Sequence, residues 1–96
     1  MPGFSSIDLG LGRATADLAD VRLIQVVENA TEPTWGPEPC SDEFLFWFVR
    51  SGSATLQRND EQHRLAERDS VVLVEGELNG LSEVSPDFEI LEVRIP

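Results

Sequence analysis

Ninety-six residues make one domain and leave no room for two. Eighteen acidic residues against seven basic ones set a formal net charge of −11, which argues against nucleic acid as a partner, since that needs a basic stripe, and against anionic membrane surfaces. Cys40 is the single cysteine, so no disulfide within one chain can staple this small core.

A lone cysteine fits a reducing compartment. Met1-Pro-Gly-Phe4 lacks the basic region and apolar run of a signal peptide, and the longest apolar runs are of strand length rather than membrane-helix length. The expected location is cytoplasmic.

Residues 1–20 are glycine-rich and mixed. Phe4, Ile7 and Leu9 alternate only roughly, which fits a short edge strand or arm of the same domain, and residues 13–20 could form a brief helical turn. Residues 21–28 (VRLIQVVE) are rich in β-branched side chains with no breaker, and read as a strand. Residues 29–42 hold three prolines and a glycine; proline removes backbone donors, so this segment can be neither a helix nor a central strand and is expected to be a long loop carrying Trp35 and Cys40.

Residues 43–50 (EFLFWFVR) hold three of the five phenylalanines and one of the two tryptophans, a strand expected to be covered on both faces. Two-residue alternation sends Glu43, Leu45, Trp47 and Val49 to one face and Phe44, Phe46 and Phe48 to the other. Short segments follow at 54–58, 62–65 and 70–74, with polar turns between them, then a break at Glu75-Gly76 and a further turn signal at Asn79-Gly80. Residues 88–95 (FEILEVRI) close the chain as a strand. Strands of this length separated by turns about every ten residues predict an all-β sandwich or barrel.

Gly52-Ser-Ala-Thr-Leu56, His63-Arg-Leu65, the run from Arg68-Asp69 to Gly76, and the closing strand together resemble a small single-domain cupin over residues 21–96. The resemblance implies a jelly-roll barrel, the double-stranded β-helix. It also implies a metal site, and this chain departs from that site at every ligand. Anchored on Gly52, the metal-binding glutamate falls on Leu45, and the paired histidines fall on Pro39 and Ser41 or on Glu38 and Cys40. In the second motif Arg68 stands for the first glycine, Val74 for the proline, Asn79 for the last histidine and Glu83 for the trailing asparagine, while Gly76 matches. The expectation is therefore a barrel with no metal and no cofactor.

The candidate ligand-binding residues are Trp35, Cys40, Glu43, Leu45, Trp47, His63 and Asn79. His63 shares the alternation of Leu65, the inward leucine of the resemblance, so it could face the barrel mouth as a general base. Glu43, on the Leu45 and Trp47 face, is the other catalytic candidate. Asn79 could offer its amide to a ligand or merely supply turn geometry before Gly80. Cys40 has no basic partner nearby in sequence to lower its pKa.

The leading expectation is a small, partly apolar molecule bound inside the barrel, with cofactor-independent isomerase, cyclase or lyase chemistry as one use of that site. The alternatives are a metal-dependent oxygenase or isomerase with unusual ligands drawn from Glu38, Cys40, Glu43 and His63, and a non-catalytic dimeric binding or regulatory module. Two large apolar faces on one strand exceed what a single small barrel needs, which points to a homodimer.

Overall fold

The computed structural model describes residues 3–9, 20–27, 33 and 35–95. Every regular element among them is a β-strand: β1 Phe4–Asp8, β2 Asp20–Val26, β3 Trp35–Pro39, β4 Phe44–Ser51, β5 Ala54–Arg58, β6 Glu61–Leu65, β7 Ser70–Val74, β8 Leu78–Ser82 and β9 Glu89–Ile95. They form two antiparallel sheets with strand orders β1-β2-β9-β4-β7 and β3-β8-β5-β6, the layout of a jelly roll. No helix among the described residues is long and apolar enough to cross a membrane. The helical turn expected at residues 13–20 lies outside the described residues up to 19; Asp20 opens β2.

The inner faces of the two sheets meet over one core. Sheet one contributes Ile24, Leu45, Trp47, Val49, Leu73 and Ile90, and sheet two contributes Trp35, Ala54, Leu56, Leu65 and Leu81. Trp35 and Trp47 join the sheets edge to face, with ring centroids 5.2 Å apart at 79°, and Phe4 stands edge-on to Trp35 at 5.7 Å. Such T-shaped pairs add about 0.5–1.5 kcal/mol beyond the area they bury. The lumen is thus largely filled by the chain's own side chains.

Two sequence expectations change here. Residues 35–39 are a strand rather than loop, because β3 lies at the edge of its sheet, where Pro37 and Pro39 cost few ladder bonds; its register shifts between Trp35 and Glu38. Asn79-Gly80 is the middle of β8 and not a turn. Gly80 is there for close approach, since a Cβ would stand 2.8 Å from the Trp35 carbonyl oxygen.

Gly52, the anchor of the cupin-like motif, is fixed by geometry as well. Its φ is +74°, and a Cβ would lie 2.6 Å from Phe88 Cα. Arg68 keeps the left-handed backbone of the glycine whose place it takes, with φ +74°.

The outer face of the five-stranded sheet is apolar. Phe44, Phe46 and Phe48 form a half-buried ridge along β4. Val72 and Val74 of β7 flank it on one side, 40% and 44% exposed, and Leu91, Val93 and Ile95 of β9 flank it on the other. The apolar rows continue through Val21 and Leu23 of β2 to Ile7 of β1. Beyond them, Arg50 pairs with Glu89 at 3.0 Å.

Candidate functional site

At one end of the lumen the packing stops short and leaves a cavity of about 140 Å³. Leu45, Cys40, Glu38 and Asn79, all positions where the resemblance puts metal ligands, border it, together with Trp35, Arg22, Asp42, Glu92 and Arg94. Strand register explains the convergence. Glu38 of β3 sits opposite Asn79 of β8, while Leu45 of β4 sits opposite Arg94 of β9 on the facing sheet.

Asn79 is buried and faces inward. Its Oδ1 accepts from Trp35 Nε1 at 3.2 Å, and its Nδ2 donates to the Glu38 carbonyl at 3.0 Å. Cys40 is held by its backbone between Glu77 and Gly76, and its thiol donates to the Asp42 carbonyl at 3.5 Å. Trp47 is fully buried in the core and does not border the cavity, so of the two indoles only Trp35 contributes to its wall.

The polar side is built by residues that the sequence reading did not single out. Arg22, Glu92 and Trp47 form one cross-strand row over β2, β9 and β4. Glu92 is 1% exposed; its Oε1 accepts from Arg22 Nε at 3.1 Å and from Nη2, and its Oε2 accepts from Trp47 Nε1 at 2.8 Å. A buried carboxylate needs such partners to remain charged. One row away, Arg94 donates through Nε and Nη2 to Asp42 at 3.1 and 3.2 Å. That contact holds the Arg94 guanidinium pKa above its ordinary value, against the opposing effect of burial. Two arginines, each braced by a carboxylate, therefore stand at the cavity wall. The signal was present in the alternation: Arg22 shares the phase of Ile24, and Glu92 that of Ile90.

The other candidates lie elsewhere. Glu43 is exposed in the bend before β4. His63 does share the face of the buried Leu65, but it is half exposed on the edge strand β6, 3.1 Å from Glu61. It borders a separate cleft of about 380 Å³ between β6 and β7, with Leu56, Leu65, Asp69 and Val71. His63 and Glu43 are both absent from the wall of the cavity that contains Cys40 and Asn79.

This donor set does not fit the metal site of the resemblance. A divalent ion in such a barrel is held by imidazoles and a carboxylate. Here the corresponding positions are an aliphatic, an amide, a thiol and a rim glutamate; Glu92 and Asp42 are already engaged by arginines. Among the described residues, no three His, Cys, Asp or Glu side chains come together as a metal set.

No family model matches the sequence, and no curated protein matches it. Solved structures do. The chain superposes on KdgF from a Halomonas species with a TM-score of 0.82 at 14% identity, over 100% of this chain and 81% of that one. A predicted oxalate decarboxylase from Thermotoga maritima gives 0.80 at 17% identity, over 96% and 79%. A cupin 2 conserved barrel domain protein from Salinispora arenicola gives 0.78 at 15% identity, over 100% and 78%. At these identities the likeness is one of fold.

Proposed function

We propose that this cupin-like barrel binds one small, partly apolar molecule at its open end without the metal site of the resemblance. The observation that carries the reading is the cavity of about 140 Å³, bordered by the substituted ligand positions Leu45, Cys40 and Asn79. A cavity of about 150 Å³ accommodates a benzene-sized molecule, whereas drug-sized ligands occupy roughly 300 Å³ or more. Trp35 and Leu45 offer the apolar contact. Asn79 and the guanidinium groups of Arg22 and Arg94 offer polar recognition, and a braced arginine loses little entropy on taking a second acceptor.

Binding is better supported than proton transfer. The two cavity carboxylates that the arginines hold, Glu92 and Asp42, are occupied as acceptors, and the catalytic candidates His63 and Glu43 stand outside this wall. One fold neighbour is named a predicted oxalate decarboxylase, but the residues of this cavity point to recognition.

The two indole N–H groups provide the test, because Trp35 reports the Asn79 contact and Trp47 reports Glu92. In an NMR titration with small carboxylic acids, amides and alcohols of about ten heavy atoms or fewer, a ligand of this site shifts the Trp35 indole and the Arg22 and Arg94 Nε resonances together. Shifts confined to the His63 cleft, or none at millimolar concentrations, would reject the reading.

A further inference from the structure

We infer that the molecule held in this cavity is an uncharged carbonyl compound, an amide, ketone or lactone, rather than a carboxylate or an amine. The assignment rests on the ligand site proposed above and names the chemical class that its wall selects.

Charge around the wall decides against an anion. Both guanidinium groups are already neutralised, Arg22 by Glu92 and Arg94 by Asp42. In each, the Nε–Nη2 edge that grips a carboxylate side-on is taken. Two more carboxylates stand close by. Asp20 lies opposite Arg94 in the β2–β9 register, and Glu38 borders the cavity with no ion pair among the described residues. Asp42 foremost, then Glu92 and Asp20, hold the Arg94 pKa above its ordinary value against burial, so this guanidinium already sits among negative charges. The whole chain adds a net charge of −11. An incoming carboxylate therefore meets repulsion rather than a free cation. Displacing Glu92 gives it no opening, because a carboxylate only 1% exposed cannot be left without its partner.

A cation fails for a local reason: the unused groups at the wall are mostly donors. Nη1 of Arg22 and Nη1 of Arg94 make no hydrogen bond among the described residues. The Asn79 amide keeps one N–H beyond its bond to the Glu38 carbonyl. An ammonium brings only further donors and sets its charge beside two guanidiniums. A carbonyl oxygen suits them, since it accepts from more than one N–H and carries no net charge for the carboxylates to repel. The Glu38 carboxylate at the rim is free to accept an amide N–H of the same ligand, and Trp35 and Leu45 supply its apolar contact.

Benzamide, benzoate and benzamidinium test this near neutral pH, because they share one planar shape and differ in charge. Dissociation constants are read on the full chain from the Trp35 indole and the Arg22 and Arg94 Nε resonances, in NMR titrations at low and at high salt. Benzamide should bind at least about tenfold more tightly than either ion, with an affinity that salt leaves unchanged. Benzoate should gain affinity as salt screens the carboxylates. Asp20→Asn, a change outside the cavity wall, should strengthen benzoate binding and leave that of benzamide as it was. Either ion binding within about tenfold of benzamide, with these resonances moving, leaves the ligand site standing and overturns the uncharged class. If none of the three moves them at millimolar concentrations, the ligand site itself fails and the class falls with it.

Discussion

Replacing Glu92 by leucine should be among the most damaging single changes to this barrel. Glu92 is 1% exposed and accepts from both Arg22 and Trp47. Breaking a buried ion pair from one side costs about 3–5 kcal/mol. Arg22 is 25% exposed and can turn partly toward water, which puts its share near the lower limit. The Trp47 indole N–H is left without its acceptor in the core, a further loss of about 1–3 kcal/mol. A sum of about 4–6 kcal/mol is a large part of the roughly 5–15 kcal/mol that holds a domain together. The double variant Arg22→Leu/Glu92→Leu removes both charges and should recover most of the first contribution, leaving the indole's. Glu92→Gln, which keeps an acceptor for Trp47, should fall between wild type and Glu92→Leu. Urea denaturation followed by circular dichroism measures all of these. A Glu92→Leu variant that loses less than about 1 kcal/mol, or a double variant no more stable than that single one, would refute the network's role.

Four further outcomes follow from the same physics. Gly52→Ala should destabilise by at least about 2 kcal/mol in urea melts, from its positive φ and the contact with Phe88. Arg68→Gly should instead stabilise by up to about 1 kcal/mol, since it relieves a left-handed arginine. Asn79→Ala should cost about 1–3 kcal/mol by orphaning the Trp35 N–H, and should shift the Trp35 indole resonance while leaving that of Trp47 in place. The hydrogen bond from Arg58 holds the Glu77 pKa below its ordinary value, although burial opposes it. A lowered folded-state pKa contributes stability above the unfolded value that disappears as pH falls through the folded one, so Arg58→Gln should flatten the acid limb of stability against pH. An unchanged acid limb in thermal melts would contradict this.

Much of the fold was legible because alternation and breakers agree along most of the chain. Residues 54–58 and 70–74 form strands with the expected limits, and the inward set Leu45, Trp47 and Val49 follows from period two. The misreadings came from residues whose local chemistry is overridden by position. Pro37 and Pro39 look like loop until β3 is placed at a sheet edge, and Asn79-Gly80 looks like a turn until the backbone of β3 crosses Gly80. The cavity was half legible. Motif alignment brought Cys40, Leu45 and Asn79 together, but Arg22 and Glu92 look like surface charges until β2 and β9 pair in register. Trp47 is absent from the cavity wall because its indole packs on Trp35 and donates to Glu92 within the core.

Leu45, Cys40 and Asn79, at the ligand positions of the resemblance, border an organic cavity, and their donor set does not fit a metal site. Elemental analysis of the full chain, purified without chelator or histidine tag, tests it most directly. Iron, manganese, nickel and zinc should each stay well below one ion per chain; a near-stoichiometric amount of any of them, lost together with the Asn79 side chain in Asn79→Ala, would mean that these positions hold a metal after all.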